Sequence, residues 1–308
     1  MSLNVMLPVF LLIVLGIFLR KIGLLPRSLA EGMNTLCFKC FLPVLLFNNV
    51  RKSDFCSHLE WHLIAYAVGT VLVFFLLNLY LVPKLVKDPR QQSVVIQGIY
   101  RSNYVILGIP IISNIYKGES IATVTMLVAI VVPLFNLCAV YLFEKINGNN
   151  QHNPLKMLGS IAKNPLIVGT VLGIGYTLLD IRFPEFLDST LDQLSGVVIP
   201  LALLILGADL KLNLDRSHLK LLAGTVTGKL FVMPLLFLPP AVLLGFRGQA
   251  LASLLAMYAS PAAVSGYIMA QNAGADHELS GQIIVATSLL SCFTLFVFIA
   301  VLRYFTLI

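Results

Sequence analysis

Two short stretches carry residues from which an anion site could be made without a metal. Ser260-Pro261 joins a hydroxyl able to accept from exposed backbone N–H groups to a residue shaped for the first helical position, and Ser102-Asn103 puts two further capping residues in the corresponding place. Both fall in the middle of apolar runs, so each predicts a helix that stops and restarts partway along. A helix start exposes unpaired N–H groups and a partial positive charge of about half a unit. Two such starts meeting at one depth, at Asn103 and Pro261, would hold an anion.

The ionisable residues at depth point the same way. Arg101 stands beside the first break, and Lys39 and Lys229 lie inside other apolar runs, whereas intramembrane acids are nearly absent, Asp209 at the end of its run being the closest. Machines that move H⁺ or Na⁺ place carboxylates at depth, so a negative solute is favoured. Arg101 is expected to attract or gate it, with Lys39 a second candidate. Tyr104 and Ala262 are expected beside the substrate and Asn136 to supply a side-chain contact, while Asn48 and Asn49 bond either a substrate or a neighbouring helix.

Covalent chemistry finds no constellation. No Ser and His fall at facing depths and no Asp pair is present, so an intramembrane hydrolase is disfavoured. Cys37 and Cys40 have the spacing of a metal pair but lack a second pair, and these two read with Cys56, Cys138 and Cys292 as small packing residues. His58, His62, His152, His218 and His277 have no ligand spacing. Neither a metal nor a cofactor is expected.

These residues must be positioned by membrane-spanning helices. Of 308 residues, 58% are hydrophobic and 11% charged, and the mean hydropathy is +0.91. That is an integral membrane protein. Apolar runs long enough to cross a core of roughly 30 Å fall at 3–19, 28–50, 61–83, 91–116, 121–143, 164–180, 186–208, 219–245, 249–274 and 279–302. Arg20, Lys21 and Arg27 follow the first run rather than precede it, so it reads as a retained span and not a secretory signal. With the N-terminus outside, twelve Lys and Arg fall in inner loops, among them Lys84, Lys87, Lys145, Lys156, Lys163 and Arg216, against six outside, among them Lys117, Arg182 and Arg247. Both termini are therefore expected outside the cytoplasm. The net charge of +7 reflects this topology, and nucleic acid is not a partner.

The runs repeat. Tyr100, Ser102 and Gly108 match Tyr258, Ser260 and Gly266 at an offset of 158, and within one residue of that register Val14-Leu15-Gly16-Ile17 matches Val171-Leu172-Gly173-Ile174, Pro43 matches Pro200, and Pro83 matches Pro240. Repeats are therefore expected at 1–150 and 151–308. Five spans per repeat is odd, so the second enters from the opposite side. Inverted repeats with broken helices at mid-depth are a plan used by secondary transporters.

The segment Asn103-Tyr104-Val105-Ile106-Leu107-Gly108-Ile109-Pro110-Ile111-Ile112 resembles the fourth-helix motif of the auxin efflux carrier family, which includes plant auxin exporters and bacterial malate or malonate permeases. Phe41-Leu42-Pro43, Asn164-Pro165 and Ser260-Pro261-Ala262-Ala263 agree with it, and the resemblance covers nearly the whole chain. It implies an all-α membrane protein of ten helices, with helices four and nine crossing at broken centres, as in bile acid symporters and Na⁺/H⁺ antiporters. It also implies a scaffold from spans 3–50 and 164–208 that forms a homodimer. A transport domain from spans 61–143 and 219–302 would move against the scaffold as an elevator. Carried onto this chain, the crossing residues are Ser102, Asn103, Ser260 and Pro261. Ser102 stands where auxin exporters usually have Pro, and the link from Glu144 to Lys163 is short, as in bacterial members. The expected function is carriage of a small organic carboxylate, such as malate, malonate or an auxin-like acid, across the cell membrane. A sodium-coupled symporter of bile acid type is the alternative, and a transporter-like ligand sensor a more distant one.

Overall fold

The computed structural model describes residues 2–52, 60–116, 122–147, 154–179, 181, 183–209 and 216–308; Cys56, His58, Lys117, His152, Arg182 and Lys211 lie outside them. Among the described residues the chain is helical and carries no strand. Six helices there are long and apolar enough to cross a membrane: Arg27–Arg51, Trp61–Leu85, Thr123–Ile146, Glu185–Asp209, His218–Leu243 and His277–Tyr304. Ser2–Lys21 and Pro165–Leu178 are shorter apolar helices. The expected spans at 91–116 and 249–274 each become two helices, Pro89–Tyr100 with Tyr104–Ile115 and Gly248–Ala259 with Ser265–Asn272.

Local signals account for several boundaries. Pro89 and Pro165 occupy first helical positions behind Asp88 and Asn164, whose side chains accept from Arg90 N at 2.9 Å and Leu166 N at 3.0 Å. Gly274 turns the chain at a φ of 65° before Asp276 caps His277–Tyr304 by accepting from Leu279 N at 3.0 Å.

The helices pack in two groups. Ser2–Lys21 lies along Glu185–Asp209, and Pro165–Leu178 lies along Leu42–Arg51, with Glu185–Asp209 also touching Leu42–Arg51. Small residues allow this approach. A Cβ at Gly207 would stand 2.1 Å from Ile13 O, one at Gly16 2.3 Å from Leu204 O, and one at Gly169 2.4 Å from Pro43 O. Gly173, the repeat partner of Gly16, meets Phe47 O in the same manner, at 2.9 Å. The repeated Val-Leu-Gly-Ile is thus a packing motif. One end of this group is clamped by Arg51, which donates to Asp188 Oδ1 at 2.7 Å and Asn48 Oδ1 at 2.7 Å beneath Phe47, Tyr176 and Phe183. Asn48 donates to Asp192 Oδ1 at 2.8 Å, a bond between neighbouring helices.

In the second group Pro89–Tyr100 touches Trp61–Leu85, Ala122–Asn147, Arg216–Thr227 and His277–Tyr304, while Gly248–Ala259 touches Met233–Leu243, Tyr104–Ile115 and Ala122–Asn147. Two long helices contain a π turn, Cys37–Phe41 with Lys39 and Gly228–Val232 with Lys229. Of the two cysteines with metal-pair spacing, Cys37 is buried and Cys40 is exposed.

Gly169→Leu should force the two backbones apart and cost at least about 1–3 kcal/mol, whereas Gly175→Leu points into open space. In detergent, size-exclusion profiles and thermal melts of the two variants should differ accordingly; equal stability would show that the glycine contact is unimportant.

Candidate functional site

The site is built where the two interruptions meet. After Tyr100 the chain turns extended at Arg101, with φ −89° and ψ 120°, and after Ala259 it does the same at Ser260, with φ −63° and ψ 147°. The two extended stretches lie antiparallel, Ser102 bridging to Ala262, and Asn103 N donates to Pro261 O at 2.8 Å. Each helix before its break has 12 residues and rises about 18 Å, which puts the breaks well inside a 30 Å core. The isolated bridge satisfies backbone groups that neither helix nor water can satisfy there.

The first expected restart holds: Tyr104–Ile115 begins directly after Asn103, whose side chain makes no capping bond. The second needs correction. Ser260 does not cap a helix beginning at Pro261; it ends the preceding one, its hydroxyl donating back to Ala256 O, and the next helix begins at Ser265. Serine bonds its own preceding turn as readily as a following one. Ala262 N is taken by Thr287 Oγ1 at 3.1 Å. Fewer free N–H groups therefore remain at the second break than a start at Pro261 would leave.

Charge comes instead from side chains. Arg101 is 5% exposed. Its Nη2 donates to Asn136 Oδ1 at 2.5 Å and Ser265 Oγ at 2.8 Å, and its Nη1 to Met269 Sδ at 2.7 Å. The Gln97 amide, oriented so that both its ends are satisfied, accepts from Nη1 at 3.1 Å and donates to Gly266 O at 3.3 Å. A Cβ at Gly266 would stand 3.1 Å from the Gln97 amide, which explains why that repeat position is glycine. Lys229 is 0% exposed; its ammonium donates to the Ser102 hydroxyl, which donates onward to Met257 O, and to Met233 Sδ at 3.5 Å. Every one of these partners is neutral. Among the described residues neither cation has a carboxylate within ion-pair distance.

A cavity of about 60 Å³ adjoins Arg101, Ser102, Asn103, Tyr104, Asn136 and Ser265, walled on its other side by Leu42, Leu46, Asn49, Val198 and Ala202. It lies between the two groups of helices. Tyr104 contributes a wall but turns its hydroxyl away, onto Ser253 O at 3.1 Å. Asn136 spends its oxygen on Arg101 and its nitrogen on Val132 O at 2.9 Å, so it fixes the guanidinium. Ser260, Pro261 and Ala262 form the second extended stretch without lining this cavity. Lys39 is also displaced: it is exposed and lines a separate groove on the outer face, with Lys163. The gating role expected of it is not supported, because its π turn directs it away from the breaks.

Sequence reasoning missed Ser265, Gln97 and Met269. Gln97, a polar residue one turn before Arg101 in an apolar run, carried a signal; Met269 carried none. Beyond the site, Asp209 accepts from Tyr267 Oη at 2.7 Å and Gln271 Nε2 at 3.2 Å, tying Ser265–Asn272 to Glu185–Asp209.

A family model described as membrane transport protein matches residues 1–299. The chain is similar to the "Putative malonate transporter" of Rhizobium meliloti (strain 1021), 25% identical over 308 residues that cover 94% of this chain and 92% of that protein. It is also similar to the "Uncharacterized transporter YfdV" of Escherichia coli (strain K12), 23% identical over 272 residues that cover 86% of each.

Arg101→Gln removes a buried charge that has no acid beside it among the described residues, so the apparent melting temperature should hold or rise. Stabilisation by added small carboxylates should weaken by about 10- to 100-fold in apparent affinity, the worth of a charged hydrogen bond. A thermal-shift titration that finds wild-type affinity in this variant would remove Arg101 from the site.

Proposed function

Because this chain belongs to the membrane transport protein family, the auxin efflux carriers of the motif above, and is a transporter and not an enzyme, we propose that it carries a small organic carboxylate by alternating access. The observation that carries this reading is Arg101, buried at a helix break against a cavity and balanced by no acid among the described residues. Burying an unpaired charge is costly, and an arriving carboxylate would offset that cost. Asn103, whose side-chain amide makes no capping bond, and the Ser265 hydroxyl complete the contacts.

Size narrows the class. A cavity of about 60 Å³ holds on the order of four or five waters, which suits a three- or four-carbon acid better than an aromatic auxin. The relative named for malonate is in keeping with this.

Six long helices, the two shorter ones and the two interrupted pairs make ten spans, read as two inverted five-helix repeats whose fourth and ninth members cross. Paired packing motifs at Gly16 and Gly173 support this arrangement. The two packed groups suggest a scaffold and a moving body, with the cavity between them, and elevator motion is the corresponding mechanism. Asp209 with Tyr267 and Gln271 would then close the side opposite the cavity. Homodimerisation through the scaffold, and a cell-membrane location with both termini outside, belong to the same reading.

Proteoliposomes loaded with buffer should accumulate radiolabelled malonate or malate, and Asn103→Leu should lower the initial rate about tenfold, the value of one hydrogen bond to a charged group. Uptake identical to protein-free vesicles for every mono- and dicarboxylate tried would overturn the substrate class. A strict requirement for a sodium gradient would favour the bile acid symporter type instead.

A further inference from the structure

A second concavity is more spacious than the one at the helix breaks. A groove of about 670 Å³ lies between Arg27–Arg51, Pro165–Leu178 and Glu185–Asp209, walled by Val44, Phe47, Leu172 and Leu187 and carrying two cations, Lys39 and Lys163. Both lysines are exposed, and neither forms an ion pair among the described residues.

The register of the helices places the two cations at one end. Gly169 packs on Pro43 and Gly173 on Phe47, so Leu42–Arg51 and Pro165–Leu178 run in the same direction. Four residues earlier on each helix, Lys39 is level with Pro165, and Lys163 precedes Pro165 by two positions. The opposite end is apolar and aromatic, with Phe47, Leu187 and Phe183. The groove therefore offers two positive charges at one end and a hydrocarbon surface at the other. Its walls belong to apolar helices whose outward residues, Val168 at 42% and Leu172 at 59% exposure among them, are of the kind that faces lipid.

A water-soluble anion would leave the apolar length of this groove uncovered, and a neutral lipid would leave the lysine pair without a partner. We propose that the groove binds one anionic glycerophospholipid, its phosphate between Lys39 and Lys163 and an acyl chain along Val44, Phe47 and Leu172. Basic pockets between spans on the cytoplasmic side hold anionic headgroups by this combination, and the lysine end is the one that the charge bias of the loops assigns to the cytoplasm. Lysine stems lie along apolar surface while their ammonium groups reach the headgroup level. The inference needs that the chain spans a membrane with the lysine end toward the cytoplasm, and it stands apart from which solute is carried.

The test is native mass spectrometry of the purified full chain with added phosphatidylglycerol or phosphatidylcholine, supported by thermal melts. Wild type should retain one phosphatidylglycerol in preference to phosphatidylcholine. Lys39→Gln with Lys163→Gln should weaken phosphatidylglycerol about 30-fold, at roughly one kilocalorie per cation, and erase the preference. Lys39→Arg with Lys163→Arg should keep it, and Leu172→Trp should displace both lipids. An equal preference in wild type and the Gln pair would overturn the proposal. So would efficient disulfide cross-linking of Leu172→Cys between two copies in phosphatidylglycerol vesicles, because a second copy would then be the occupant.

Discussion

A buried cation with no acid beside it among the described residues governs the middle of this molecule. An arginine and a lysine without counter-charges among the described residues are expensive in a hydrocarbon layer, and the chain keeps both through neutral donors and acceptors that the interruptions help to bring together. Arg101 is reached by Ser265 because the second break ends there, by Asn136 from a facing helix, and by Gln97 from the turn before it. Lys229 is reached by Ser102 because the first break leaves that hydroxyl outside any helix. The interruptions thus supply polarity in two forms, backbone ends and freed side chains, and the second form dominates.

Those interruptions are sustained in turn by their surroundings. Tyr100 and Tyr258, repeat partners, end the helices before the breaks, are fully buried and spend their hydroxyls on Phe135 O at 3.1 Å and Thr70 Oγ1 at 2.7 Å. Each anchors the last turn of its helix to a continuous neighbour. A break held this firmly is a fixed feature of its body, and the proposed motion of one body against the other would fall instead at the less interlocked surface where the cavity lies.

Much of this was legible in the sequence. Apolar run lengths found nearly all the helix limits to within a few residues, and the repeat of Tyr, Ser and Gly located both breaks, because capping and glycine signals are local and survive without tertiary information. Arg101 and Asn136 stood out as buried polar residues for the same reason, since a polar residue inside an apolar run has few places to go, but that Asn136 holds the guanidinium was not legible. The start of the second restarted helix was not, since Ser260-Pro261 suits either the end of one helix or the start of the next, and a serine that bonds backward looks identical in sequence to one that bonds forward. Lys39 and Lys229 looked alike as lone lysines in long runs, yet one faces outward and the other is enclosed. Which way each points depends on helix phase.

That phase is where the two π turns matter. Each wide turn accommodates an extra residue in a helix that otherwise repeats every 3.6 residues, so everything beyond it is rotated by about 100° relative to an uninterrupted spiral. In the helix that carries Lys229, Thr225 before the wide turn and Met233 after it are both buried. Shortening that turn by one residue would swing one flank out of alignment with the other and carry the lysine off the Ser102 hydroxyl. The length of the chain at this point, counted in single residues, is therefore as much a part of the electrostatics as the lysine itself.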